Sequence, residues 1–350
     1  MQVEGTKLIL PVIVVVLLIV LGFAAVITIG QKMSRSWIEP EQENTAVSSE
    51  FAYEPLCQYY VKSSYNSCAS GDYNNDYVSL AALINAIKNG CRFLDFEIYD
   101  VDNEPVVAVS SSPNYNFKGS FNSIPLNDVF QTVNNNAFKN SDPLFLQLRI
   151  KCSHVEIANK VAKLINDNFI DKVMEVDYNY ENMEGTIAEV PLEAFMNRVA
   201  FIVDMRNPII EGSELYEYVN IAANTNTNYL MTFDDLAYNA PNDILDFSTS
   251  NLLTIIPDLK KQDNYNSTVG FNQGAQFIAM KFQENDANLE LYKARFDGYS
   301  FLLKPTDLQY VPNLVKEAGD LPNSMNSSSV MDMINAGANT VVTSISNLKV

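Results

Sequence analysis

Basic residues are scarce in this 350-residue chain: 23 lysines and arginines stand against 42 aspartates and glutamates, a formal net charge of −19. A field of that sign disfavours non-specific nucleic-acid binding and repels anionic lipid surfaces. No basic run interleaved with aromatics appears, so nucleic acid is set aside as a partner. Cysteine is equally thin. Cys57, Cys68, Cys91 and Cys152 are scattered without metal-ligand spacing, and Cys91 and Cys152 border strand-like runs, where buried free thiols are common. No internal repeat and no nucleotide-binding glycine fingerprint occurs. Histidine appears once, at His154.

What is present begins with a long apolar run. Leu8 to Ile29 carries no charged residue and, as a helix, would span roughly 33 Å, about the thickness of a hydrocarbon core. A secretory signal has a shorter apolar region and a small-residue cleavage site. Here the run is too long, and Gly30-Gln31-Lys32 is a poor cleavage context. A retained single-pass membrane helix over 8–29 is expected, after a short tail at 1–7. Lys32 and Arg35 follow the span and Lys7 precedes it, so the positive-inside rule leans towards a cytosolic C-terminal domain. Two sequons, at Asn266 and Asn326, point the other way. Residues 30–52 are acidic and aperiodic, as in a linker lifting the next domain off the bilayer. Residues 314–350, rich in Asn and Ser, read as a loosely packed tail.

Between them the chain is organised around Gly90-Cys91-Arg92-Phe93-Leu94-Asp95-Phe96-Glu97-Ile98-Tyr99. An apolar helical run, Val78 to Ile87, stops at Asn89-Gly90 as a glycine-capped helix does. Strict alternation then puts Leu94, Phe96 and Ile98 on one face and Phe93, Asp95, Glu97 and Tyr99 on the other. Two carboxylates so close repel each other and are costly to bury uncompensated. Either that face is exposed, or a metal, an arginine or a proton offsets them. Further strands are expected at 105–109, 143–150, 198–203 and 276–282. Helices are expected at 126–138 and at 155–169, the latter capped by Ser153. Such alternation favours an α/β fold with a mainly parallel sheet, and about 260 residues is the usual size of a (β/α)8 barrel.

Taken together, these segments resemble the phosphoinositide-specific phospholipase C family, from the X domain to the end of the Y domain. Ser63-Ser-Tyr-Asn-Ser67 is similar to its SSHNT-type motif and Gly90 to Glu97 to its GCRxxELD strand. Glu104 to Val109 resembles EPVVYH, and Pro143 to Arg149 resembles YPLILSLE. Asn272 to Gln283, followed by Gly298 to Pro305, is similar to the family's last strands. The resemblance implies a distorted TIM barrel over 53–313, preceded by the single transmembrane helix. It also implies two catalytic histidines and a calcium ion. Tyr65 and Val109 stand at the histidine positions; tyrosine titrates near pH 10 and valine carries no proton. Asn66, Asp95 and Glu97 match calcium ligands, the two acids with identities exchanged, but the third acidic ligand position holds Arg149. A guanidinium there would satisfy both carboxylates and repel calcium. Lys261 and Tyr265 are what remains of the substrate-gripping segment, and His154 matches neither histidine position.

The expected protein is therefore a membrane-anchored, degenerate phospholipase C-like barrel with a structural or binding role and no cofactor. Calcium held by Asn66, Asp95 and Glu97 is the alternative to that absence. Its partners would be a bilayer through 8–29 and a phosphoinositide or a protein. The alternative function is an active phosphoric diester hydrolase with rearranged machinery around His154. An Asn- and Tyr-rich barrel on one N-terminal anchor also resembles proteins of large DNA viruses, which would place it on a virion inner membrane.

Overall fold

The computed structural model describes residues 4–33, 45–47, 52–240 and 243–309. Helix α1 (Glu4–Met33) overruns the expected span at both ends and includes Pro11. Its stretch Pro11–Ile29 is apolar, exposed and long enough to cross a bilayer.

The rest alternates strands and helices: β1 (Tyr59–Ser64), α2 (Leu80–Lys88), β2 (Phe93–Val101), β3 (Glu104–Ala108), β4 (Ile124–Pro125), α3 (Leu126–Ala137), β5 (Leu144–Ile150), α4 (Val155–Phe169), β6 (Val199–Asp204), β7 (Val219–Ala223), β8 (Asn228–Thr232), α5 (Phe233–Asn239), α6 (Ile244–Ser250), β9 (Leu252–Ile256), α7 (Thr268–Asn272), β10 (Phe277–Met280), α8 (Ala287–Phe296) and β11 (Phe301–Leu303). Eight of the strands follow the order β7-β6-β5-β2-β1-β10-β9-β8, every neighbouring pair parallel. This is a nearly closed (β/α)8 barrel. The opening falls between β7 and β8, and chain length explains it. A parallel crossover needs a dozen or more residues, whereas only residues 224–227 join these two strands. They are too few to carry a covering helix back to the start of the next strand, and β7 and β8 form no ladder.

Local signals set the elements that carry the site. The Ser79 hydroxyl caps α2 by accepting the Ala82 amide, and Gly90 follows the Asn89 C-cap with φ +82°, a left-handed value. Asp102 and Asn103, at φ +54° and +63°, make the two-residue hairpin that folds β3 back along β2. Alternation and register put Phe93, Asp95 and Glu97 opposite Phe145, Gln147 and Arg149. Phe93, Phe145 and Phe277 pack ring to ring, forming an aromatic floor below the carboxylates.

Two expectations change. Ser153 does not cap α4; His154 occupies the N-cap position, and its side chain makes no capping bond. The expected linker is not wholly a spacer either, because Thr45 and Val47 are already docked. The Thr45 amide donates to the Gly298 carbonyl at 3.0 Å and the Val47 amide to Asp142 Oδ1 at 2.9 Å. The 314–350 tail lies outside the described residues.

Candidate functional site: an arginine between two carboxylates

Arg149 reaches across from β5 to β2, where the parallel register sets it opposite Glu97. Its Nε donates to Asp95 Oδ1 at 2.8 Å, and one terminal nitrogen donates to Asp95 Oδ2 at 2.6 Å and Asn66 Oδ1 at 2.8 Å. The other terminal nitrogen donates to Glu97 Oε1 at 2.8 Å. The pairing with Asp95 is thus bidentate, the strong form of an arginine–carboxylate contact. The remaining acceptor positions are also used. Glu97 Oε2 accepts the Tyr99 hydroxyl at 2.8 Å and the Ser110 amide at 2.9 Å, and Asp95 Oδ2 accepts the Asn66 amide at 2.9 Å. Asn66 gives its amide this direction by taking φ +42°, a conformation asparagine tolerates better than most residues.

The whole cluster is buried: Asp95 is 0% exposed, Glu97 1%, Asn66 2% and Arg149 7%. Burial by itself would pull the Arg149 pKa down. Asp95, Tyr65 and Glu97 outweigh it and hold that pKa well above the ordinary value. Burial pushes the Glu97 carboxyl up, with Arg149, Lys151 and the Tyr99 hydroxyl pulling it back. The Tyr65 ring lies 4.8 Å from the guanidinium carbon, and Tyr73 packs edge-on against Tyr65. Lys281 in turn sits over the Tyr73 ring.

The structure therefore brings Asn66, Asp95, Glu97, Arg149 and Tyr65 together at the C-terminal ends of neighbouring strands, where sites lie in this fold. Other sequence candidates stand apart. Val109 is buried in the apolar core, its carbonyl accepting the Gly119 and Ser120 amides. His154 is largely exposed and bonds Asp100 Oδ2 through Nδ1 at 2.6 Å. Lys261 lies on a cavity of about 410 Å³ lined also by Tyr73, Asn74, Ser111, Lys281 and Gln283, and it pairs with Asp234 at 2.5 Å. Tyr265 does not line that cavity; it is buried, with its hydroxyl donating to the Ala279 carbonyl at 2.9 Å. Sequence reasoning missed Tyr73, Tyr99 and the Ser110 amide as parts of the cluster. Only Tyr99 carried a signal, since it shares the alternating face with Glu97.

Residues 52–199 match the model of the phosphatidylinositol-specific phospholipase C X domain. Over that stretch the chain is similar to the phosphatidylinositol-specific phospholipase C family. Human 1-phosphatidylinositol 4,5-bisphosphate phosphodiesterase eta-1 is 31% identical over 122 residues, 34% of this chain and 7% of that protein. Human inactive phospholipase C-like protein 1 is 23% identical over 320 residues, covering 77% of this chain and 28% of that one. The chain thus spans less than a third of the length of these relatives. The crystal structure of L. pealei PLC21 superposes with a TM-score of 0.62 at 18% identity, over 73% of this chain and 38% of that one. This likeness places the fold among phospholipase C barrels. Family and fold both agree with the reading of the sequence.

Proposed function

We propose that this protein is a membrane-anchored phospholipase C-like barrel that works as a structural or binding protein and not as a phosphodiesterase. The observation that carries the reading is the Arg149 guanidinium, held at 2.6–2.8 Å from Asp95, Glu97 and Asn66. Calcium needs six or more oxygen ligands at about 2.3–2.6 Å. Both Asp95 oxygens and Glu97 Oε1 are already turned towards Arg149, and Glu97 Oε2 towards Tyr99 and Ser110. Among the described residues no group of three or more His, Cys, Asp or Glu side chains converges as a metal site. This donor set does not fit the ion that the family resemblance implies.

Proton transfer points the same way. Tyr65 and Val109 stand at the positions the resemblance assigns to two histidines, and burial raises the Tyr65 phenol further above its ordinary range. Each lost acid–base group is worth roughly 10²–10⁴ in rate. The alternative, a phosphodiesterase running on His154, is weakened by the pairing of that histidine with Asp100 outside the cluster. Anchoring rests on Pro11–Ile29, with the barrel on the cytosolic side of a cellular membrane or facing outward from a virion's inner membrane.

The test is to incubate the full chain, in detergent and in vesicles, with phosphatidylinositol and its bisphosphate, with and without calcium. Headgroup release should stay at background. Turnover that disappears in a His154→Ala variant would overturn the reading.

A further inference from the structure

We infer that the barrel stands on its own membrane by its N-terminal rim and turns its C-terminal mouth, with the Arg149 cluster, away from the bilayer that anchors it. This rests on the anchor proposed above. Thr45 and Val47 decide it, because the groups that accept their amides lie at one end of the barrel. Asp142, which takes the Val47 amide, sits just before β5, and pairs with Arg92, just before β2. The Thr45 amide bonds Gly298, between α8 and β11, and the carbonyl of Ser300, two residues on, accepts the amide of Lys62, level with the start of β2. Farther along, Ala52, Glu54 and Leu56 exchange backbone bonds with Val190, Leu192 and Glu193, which lead into β6. The chain thus reaches the barrel along its N-terminal rim. The exposed aromatics Phe117 and Phe121 belong to the loop after β3, at the opposite end.

Chain length converts this docking into an orientation. Twelve residue steps separate Met33, the end of α1, from Thr45, a reach of at most about 40 Å whatever conformation they take. The nine residues of β2 alone rise about 30 Å along the strand. With its mouth on the bilayer, the barrel would hold Thr45 about 24 Å up, once a strand tilt of about 36° is allowed for, and offset sideways by the ring of helices. A segment drawn out over most of its reach is needed for such a path, so its shorter conformations favour the N-terminal rim nearest the membrane. A ligand or partner of the mouth is then met in solution or on an opposing surface, not in the anchoring leaflet.

The four native cysteines are buried, so a dye can be placed on a single introduced thiol. The full chain carrying Tyr53→Cys at the N-terminal rim or Phe117→Cys at the mouth is reconstituted into phosphatidylcholine vesicles containing a headgroup-labelled energy acceptor. Donor quenching should be at least twofold stronger at Tyr53→Cys. Replacing Thr45 and Val47 by proline removes both docking amides and should shrink that difference. Equal quenching, or stronger quenching at Phe117→Cys, overturns the orientation. A full chain that does not float with the vesicles sinks the anchor itself, and the orientation with it.

Discussion

Replacing Arg149 by methionine removes the positive charge while keeping an unbranched side chain of similar reach. Four contacts of 2.6–2.8 Å to charged or amide oxygens are lost. At about 1.5–3 kcal/mol for a hydrogen bond to a charged group, they sum to roughly 6–12 kcal/mol gross. Desolvating the guanidinium cancels several kcal/mol of that sum, and breaking a buried pair from one side typically costs about 3–5 kcal/mol. For a domain of this size that is a fall in Tm of roughly 6–20 °C. Most of the loss comes from Asp95 and Glu97, left facing each other in a site they cannot leave. A second variant separates that cause from lost packing. Arg149→Met combined with Asp95→Asn and Glu97→Gln carries no buried charge and should recover much of the stability.

Thermal unfolding followed by circular dichroism, with and without millimolar calcium, reads both effects. Wild type should not shift with calcium, because a ligand stabilises only in proportion to its binding to the native state. An Arg149→Glu variant presents three carboxylates beside Asn66. It should be unstable without metal and gain about 2.7 kcal/mol at calcium one hundred times its Kd. A wild-type Tm that climbs several degrees in calcium, or an Arg149→Met protein as stable as wild type, would refute the reasoning.

Other consequences follow from single contacts. Lys304 is buried, with Nζ bonding the Ser248 carbonyl at 2.9 Å, and burial lowers its pKa to about 7. Between pH 7 and the ordinary lysine value near 10.4 the unfolded chain binds the extra proton, so stability should rise with pH by up to about 1.4 kcal/mol per unit. Denaturant titrations from pH 7 to 8.5 should lose that slope in Lys304→Met. Gly274 sits at φ +67°, and a Cβ there would lie 2.6 Å from the Ser248 hydroxyl. Gly274→Ala should cost about 1–3 kcal/mol in the same titration, and a neutral result would contradict the geometry. Tyr99→Phe removes the hydroxyl bonded to Glu97 and should cost about 1–3 kcal/mol, read as a lower midpoint in urea.

Much of this was legible before any coordinates. Elements with a strong period emerged close to their observed bounds: α4 falls at Val155–Phe169 and β2 begins at Phe93, both as read from the sequence. The alternation through Phe93 to Tyr99 placed both carboxylates on one face, and the resemblance placed Arg149 beside them. β7, β8 and β9 were not legible. They are five residues each; β8, Asn228–Thr232, has its apolar residues side by side and β9, Leu252–Ile256, is apolar almost throughout, so period-two contrast is weak. The roof over Arg149 was hidden for another reason. Tyr73 lies in a loop, and its packing against Tyr65 depends on where β1 and the loop that follows it bring the two rings. Tyr265 misled because a tyrosine near the mouth reads alike whether its hydroxyl meets ligand or, as here, a backbone carbonyl.

The cluster's charge is balanced from within the chain. With a carboxylate at position 149, three negative charges would crowd the ends of β2 and β5, a state that needs a cation from outside the chain. With arginine there, Asp95 and Glu97 carry two charges against one, and the excess is met by neutral donors: the Asn66 and Ser110 amides and the Tyr99 hydroxyl. Every donor comes from the chain itself. The same contacts tie the loop after β1 to β2 and β5 and draw in the turn after β3, so Arg149 joins elements far apart in sequence. Losing a metal from such a place would ordinarily leave like charges pushing the barrel mouth apart. On the proposed reading, an arginine where the resemblance implies an acid removes the repulsion without a metal, and its contacts make Arg149 a pin between β2 and β5.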